Sequence, residues 1–420
     1  MYETFYHNLP NGLQIVHRKT TSPVVYVGIM VGAGTRHELP NENGMAHYIE
    51  HCVFKGTQHY TARQIINHIE GIGGEINAYT TKEETTFYAA TLRQHFRTTL
   101  HLLADMVLRP TFHKKETDKE LTVILDEIES YNDSPSELIY DDFENMIFEG
   151  SSLAMPILGT KRTLRHISKS PDIALRWMQQ HYRPERMVLF VLGNVSTQQV
   201  ISAAEKELGE ITSISSTSSI SSASRISIAS SHISHSEVSL TRLYRRHTHQ
   251  THIMLGSHAY PIGHPKQLTM YLLNNILGGG SMSSRLYLSL REKHGLVYNI
   301  DSQAVPLSDT GYWNIYLACE PQHKDQCLEL CYKELKQLRD TTLTSTQLQR
   351  ALRQLEGQMA ISAENQENNA LAMAKQMLYH HHAPAWQDTF ARIQTITPTQ
   401  LQDVANEVFA PETIYTLLYD

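Results

Sequence analysis

Cysteine is scarce in this chain, with four in 420 residues at positions 52, 319, 327 and 331. Four are too few for a disulfide framework at this length, which points to a reducing compartment. Positive charge is also short: 36 Lys and Arg stand against 43 Asp and Glu, a formal charge of −7. That balance leaves no basic field for counterion release and argues against nucleic-acid binding as the main task. No run of about 18 apolar residues occurs, so no transmembrane helix is expected. The N-terminus, MYETFYHNLPNGLQIV, lacks a basic stretch followed by an apolar one. A cytoplasmic protein without a membrane span is the expectation.

What is present is a globular composition, 41% hydrophobic and 19% charged, in a chain long enough for two or more cores. Residues 211–236, ITSISSTSSISSASRISIASSHISHS, form a Ser/Ile tract read as a linker between a domain at 1–210 and another at 237–420. Alternating Ser and Ile is equally the pattern of an exposed strand. The two halves resemble distant copies. HYRPERMVLFVLGN at 181–194 and EVFAPETIYTLLYD at 407–420 each place an aromatic, one residue, Pro-Glu and then a β-rich run. Tyr182 with Phe409, and Tyr88 with Tyr316, share an offset of about 228 residues, as a duplication requires. Within each half, β-rich runs such as VVYVGIMVG alternate with amphipathic helices such as HFRTTLHLLADMVL. The fold class is α+β: two homologous domains, each a mixed sheet covered by helices.

The chemistry centres on GMAHYIEHCVFKGT. His47 and His51 are four apart, so on a helix they project from one face and reach a single zinc ion at roughly 2.0–2.1 Å. Glu50 lies beside them, placed to accept a proton from a water at the metal. With 24 histidines in the chain, a His-x-x-acid-His pattern arises by chance about 0.14 times, so a third ligand is needed. In KKETDKELTVILDEIESYND, Glu120 and Glu127 are two helical turns apart and face one way, with Glu116 nearby. Glu127 would complete a His2Glu site; taken alone, the same pattern is what a solvated acidic helix face gives. Cys52, Cys327 and Cys331 read as buried core thiols, and His380-His381-His382 as an exposed patch.

His47-x-x-Glu50-His51 followed by Glu127 resembles the inverzincin peptidases of the pitrilysin, insulin-degrading enzyme and mitochondrial processing peptidase group. The resemblance runs through LPNGLQIV, GGEINAYTTKEETTFY, KELTVILDEI and GGGSMSSRLYLSLREKHGLVYNI, nearly the whole chain, at the length of the single-subunit branch. It implies a zinc endopeptidase with His47, His51 and Glu127 as ligands of one Zn2+ per chain, Glu50 as base and Glu120 in support. It further implies that Asn77, Ala78 and Tyr79 form an edge strand on which an extended peptide lies, and that Arg291 and Tyr298 hold the substrate and the developing oxyanion. The matching stretch of the second half, YLLNNILGGGS, has no histidine pair. Members of this size pair into a clamshell, which implies a homodimer with sites completed in trans. Two alternatives stand beside this reading: a non-catalytic binding subunit, and a chain active only beside a separate inactive partner.

Overall fold

The structure is a computed structural model describing residues 3–210, 240–246 and 248–420. The Ser/Ile tract expected as a linker lies outside these residues. Strands β1 (Thr4–Asn8), β2 (Gln14–Lys19), β3 (Val24–Val31), β4 (Glu75–Thr80), β5 (Thr85–Leu92) and β6 (Met187–Gly193) form one sheet in the order β1-β2-β6-β3-β5-β4. The same stretch of chain forms helices α1 (Met45–Val53), α2 (Ala62–Glu70), α3 (Phe96–Leu108), α4 (Lys114–Asn132), α5 (Pro135–Ile147), α6 (Lys161–Ile167), α7 (Pro171–His181) and α8 (Thr197–Leu208). Strands β7 (Thr241–Tyr244), β8 (Thr251–His258), β9 (Val297–Pro306), β10 (Gly311–Cys319) and β11 (Tyr415–Tyr419) form the other sheet, in the order β7-β11-β8-β10-β9. Its stretch of chain contributes α9 (Gln267–Leu277), α10 (Lys324–Asp340), α11 (Ser345–Glu364), α12 (Gln366–His380), α13 (Trp386–Ile393) and α14 (Pro398–Val408). None of these helices is long and apolar enough to cross a membrane.

The sheets repeat one plan. β2 pairs parallel with β6 as β7 does with β11, and the remaining shared pairs are antiparallel in both. Gly28 of β3 and Gly256 of β8 each lie under an aromatic ring. A Cβ on Gly28 would stand 2.3 Å from the Phe190 ring, and one on Gly256 would stand 2.6 Å from the Phe143 ring. Each position therefore needs glycine to let an aromatic lie against the strand. β6 is buried at all seven residues, as a central strand covered on both faces requires, and so lacks the alternation of a half-exposed strand.

Compactness does not follow chain order. One compact unit takes residues up to Glu129, those from Met155 to the undescribed stretch, and Ser362–Pro384; the other includes Ser130–Ala154. In the first unit, one face of the sheet packs Val27, Ile29 and Phe87 against Ile49, Leu103 and Val200. The opposite face packs Val16, Met30 and Phe190 against Ala370, Met373 and Met377 of α12. In the second unit, Ile253, Trp313 and Ile315 meet Leu273, Leu335 and Val404, while Met254, Leu417 and Tyr419 are covered by Ile139, Phe143 and Met146 of α5. Each half of the chain thus gives one helix to the other half's sheet. Each large apolar side chain removed from water contributes about 1.5–3 kcal/mol to holding the helix there.

Candidate metal centre

Helix α1 begins at Gly44, whose φ of +91° and neighbours at 2.9 Å, Leu158 O and Gly159 Cα, leave no place for a side chain. The carboxylate of Glu38 accepts from the N–H groups of Gly44 and Ala46, both at 2.8 Å, and from Asn43 Nδ2 at 3.2 Å. It thereby satisfies two of the donors that a helix start leaves open. Burial pushes this carboxyl up to about 7, and its three donors pull the other way. Met45, Ile49, Cys52 and Val53 face the core, with Cys52 fully buried as expected and its thiol raised to about 12 by burial. His47, Glu50 and His51 are left on the other side of the helix.

Across from them stands α4. His51 Nε2 lies 3.4 Å and His47 Nε2 lies 3.7 Å from Glu127 Oε2, and the two rings are 4.5 Å apart at 65°. The donor atoms of these three residues fall within 4.8 Å of one another, so the expected ligands are brought together. A tetrahedral ion bound at 2.0–2.1 Å holds its ligand atoms roughly 3.3 Å apart, close to the two separations from Glu127. His51 Nδ1 bonds Glu120 Oε1 at 2.9 Å, and the other Glu120 oxygen accepts from Lys55 Nζ at 2.7 Å. With its proton held at Nδ1, His51 presents the Nε2 lone pair to the cluster. Burial and the neighbouring His51 lower His47 to about 4, keeping it neutral as a ligand must be. Burial opposes charge on His51 as well, but Glu127 and Glu120 outweigh it and raise that group. Glu127 is held below the usual carboxylate range, chiefly by the neighbouring His51. These donors fit zinc.

Glu50 is raised above its ordinary range by burial, and the Thr80 hydroxyl, donating to Oε2 at 2.6 Å, works against that rise. Thr80 ends β4, which pairs with β5 on one side only and is the edge of its sheet. Thr81 N donates to Glu84 O at 2.8 Å, and the antiparallel alternation counted from that bond sends Asn77 and Tyr79 into the β5 ladder. Ile76, Ala78 and Thr80 turn their backbone groups to the open edge. Of the three residues expected to line it, Ala78 is the one whose backbone faces outward.

Arg291 and Tyr298 belong to the second unit. Arg291 rides on a π-helical turn, Tyr287–Lys293, with its guanidinium 4.9 Å from the Tyr287 ring and 5.0 Å from the Tyr298 ring. No carboxylate pairs with Arg291 among the described residues, and Tyr298 is 77% exposed. His380, His381 and His382 are exposed as expected, with His381 Nδ1 on Gln14 and His382 Nδ1 on Tyr6. Sequence reasoning missed Glu38, Lys55 and Thr80. Only their nearness to the motif hinted at them, because each acts through a contact that spacing does not encode.

Two sheets of one plan, one carrying a His2Glu cluster beside an open edge strand, define the class as a two-domain α+β fold with a candidate metal site. The profile for Insulinase (Peptidase family M16) matches residues 14–161, and that for the Peptidase M16 inactive domain matches 170–355. A relative in Bacillus subtilis described as an uncharacterized zinc protease is 32% identical over 97% of this chain and 96% of its own length. The mitochondrial-processing peptidase subunit beta of Bos taurus is 26% identical over 95% of this chain and 80% of its own. The crystal structure of a protease from Helicobacter pylori, 20% identical, superposes with a TM-score of 0.89 over all of both chains. The chain belongs to the M16 peptidase family.

Proposed function

We propose that the protein is a zinc-dependent endopeptidase acting on peptides and unfolded segments. The observation that carries this reading is a His2Glu donor set at ligand spacing, with a buried carboxylate, Glu50, beside it and an open strand edge alongside. Relatives described as zinc proteases support it. Zinc held by His47, His51 and Glu127 supplies Lewis acidity, making a water acidic near neutral pH and polarising a carbonyl oxygen.

The chain's own groups do the rest. Glu50 takes the proton of the attacking water and returns it to the leaving amine, and burial, which raises its carboxyl, makes it a better proton acceptor. The Thr80 hydroxyl on Oε2 fixes the carboxylate and leaves Oε1 for the proton. Glu120 orients His51, and Lys55 offsets the charge of Glu120. An extended peptide pairs with β4, where main-chain bonds to Ala78 give affinity with loose sequence preference. Arg291 and Tyr298 supply donors to the oxyanion from a second copy of the chain, so the active form is a homodimer. Four buried, unpaired thiols suit a reducing compartment, and we assign the protein to the cytoplasm.

A second reading, an obligate heterodimer, is favoured by one relative being described as a subunit beta. Mixing Glu50→Gln chains with Arg291→Ala chains separates the two. Recovery of part of the wild-type activity is expected from the homodimer, and no recovery in verified mixed dimers would count against completion in trans.

A further inference from the structure

The turn joining β4 to β5 carries Lys82, Glu83 and Glu84, charges that a hairpin tip ordinarily leaves in water. Here they are 6%, 4% and 1% exposed. Each is matched: Lys82 Nζ donates to Met155 O at 2.6 Å, Glu83 pairs with Arg36 at 2.5 Å, and Glu84 accepts from Lys375 Nζ at 2.8 Å and Tyr379 Oη at 2.5 Å. Lys375 and Tyr379 lie one turn apart on α12, the helix that reaches this unit from the other half of the chain. The same helix accepts from Tyr88 of β5, whose Oη lies 2.6 Å from Glu367 Oε1. Burial, with the Glu84 charge beside it, holds the Tyr379 phenol well above its ordinary range, so it stays a donor.

The path from this clamp to the site is short and continuous. Glu84 is tied to Thr81 through Thr81 N to Glu84 O at 2.8 Å, Thr81 Oγ1 to the same oxygen at 3.2 Å, and Glu84 N to Thr81 Oγ1 at 3.1 Å. Thr81 is bonded covalently to Thr80, which donates to Glu50. Glu84 is buried in this clamp while Lys375 stays half-exposed, and burying one charge against such a partner is a poor way to gain stability, since well-packed apolar side chains often do as well. What it does confer is a single position for the groups it joins.

We propose that Lys375 and Tyr379, acting through Glu84, are positioning residues that set where β4 stands, and with it the outward backbone of Ala78 and the Thr80 hydroxyl on Glu50. The proposal rests on reading β4 as the peptide-binding edge and Glu50 as the base. It makes a helix of the second half of the chain part of the first unit's catalytic frame.

The test uses the full chain with Lys375→Met, Tyr379→Phe, the double variant, and Lys375→Arg as the conservative replacement. Zinc content should be unchanged. Amide hydrogen exchange should quicken at residues 75–80 but not along α1 or β6, and kcat/KM for an extended peptide should fall on the order of 10- to 100-fold, with Lys375→Arg restoring most of it. Exchange that is unchanged at β4, or that quickens equally across the whole unit, overturns the positioning role. Should the wild-type chain bind no zinc or cleave no peptide, the functional reading fails by itself, and the exchange pattern still decides whether the clamp holds β4.

Discussion

The two sheets share strand order and strand direction, yet differ where a helix passes beside the edge strand. In the first unit, Glu50 of α1 meets Thr80 of β4 through one bond at 2.6 Å and is left raised above its ordinary range by burial. In the second, Asn274 of α9 meets Ser302 of β9 twice, with Asn274 Nδ2 donating to Ser302 O at 2.9 Å and Ser302 Oγ donating to Asn274 Oδ1 at 2.7 Å, and Trp313 Nε1 adds a third bond at 3.0 Å. The next long helix differs in the same sense. α4 carries Glu120 and Glu127 seven apart, whereas α11 carries Leu348 and Leu355 at that spacing, both buried in the core. One scaffold thus serves two ends. Where Asn274 and Ser302 satisfy each other the crossing is structural, and where a carboxylate stands beside two imidazoles and a second carboxylate it can do chemistry.

The comparison yields predictions of graded size. Glu120→Gln removes the anion behind His51, a support for which α11 has no equivalent, and should weaken zinc binding by roughly 10- to 100-fold as read by competition with a chelator. Unchanged affinity would mean that α4 holds the histidine no better than α11 could. Next comes the edge. β9 is also an edge strand, so openness alone is not what distinguishes β4. Ala78→Pro deletes an outward N–H and should raise KM for an extended peptide about 2- to 10-fold, the worth of one hydrogen bond, with little change in Tm. Tyr79→Pro, which cuts the β5 ladder instead, should lower Tm. If the two variants behave alike, the backbone of Ala78 does not face the open edge.

A further difference concerns the helix starts, since α1 is capped by buried Glu38 whereas α9 has no side-chain cap. The folded-state value of Glu38, about 7, lies above its unfolded value of 4.5. Its protonated form therefore favours folding; that stability is full below about pH 4.5 and is lost as pH rises through 7, up to about 3 kcal/mol. Thermal melts should show the stability of wild type minus that of Glu38→Gln, a gap set by the cap below about pH 5, narrowing between pH 5 and 7. A gap that widens over that range contradicts the assignment.

Much of this was legible in the sequence, for reasons that differ by element. The pair His47 and His51 and the pair Glu120 and Glu127 are helix-periodic, so one-dimensional spacing already fixes that each pair shares a face. The repeat was visible because aromatics such as Tyr88 and Tyr316, inside matching strands, recur at one offset. The exchange of α5 and α12 was not. An amphipathic helix shows that it has an apolar face but not which sheet that face covers, and Met373 would read the same against either. The Lys82-Glu83-Glu84 turn was hidden for a related reason: charge in a hairpin ordinarily signals water, and partners distant in sequence, Met155 for Lys82, Arg36 for Glu83, and Lys375 and Tyr379 for Glu84, offset the cost of burying it. Glu38 was missed because its partners are backbone N–H groups, which carry no sequence signature.

The central claim is that the first unit binds zinc through His47, His51 and Glu127 and hydrolyses peptides with Glu50 as base. Its most direct test is zinc content and cleavage of a quenched peptide measured on the same preparations of wild-type and Glu50→Gln chains. The account predicts one zinc per chain in both, with cleavage falling on the order of 10²- to 10⁴-fold in the variant. Wild-type chains without bound zinc, or Glu50→Gln chains that cleave at the wild-type rate, would contradict it.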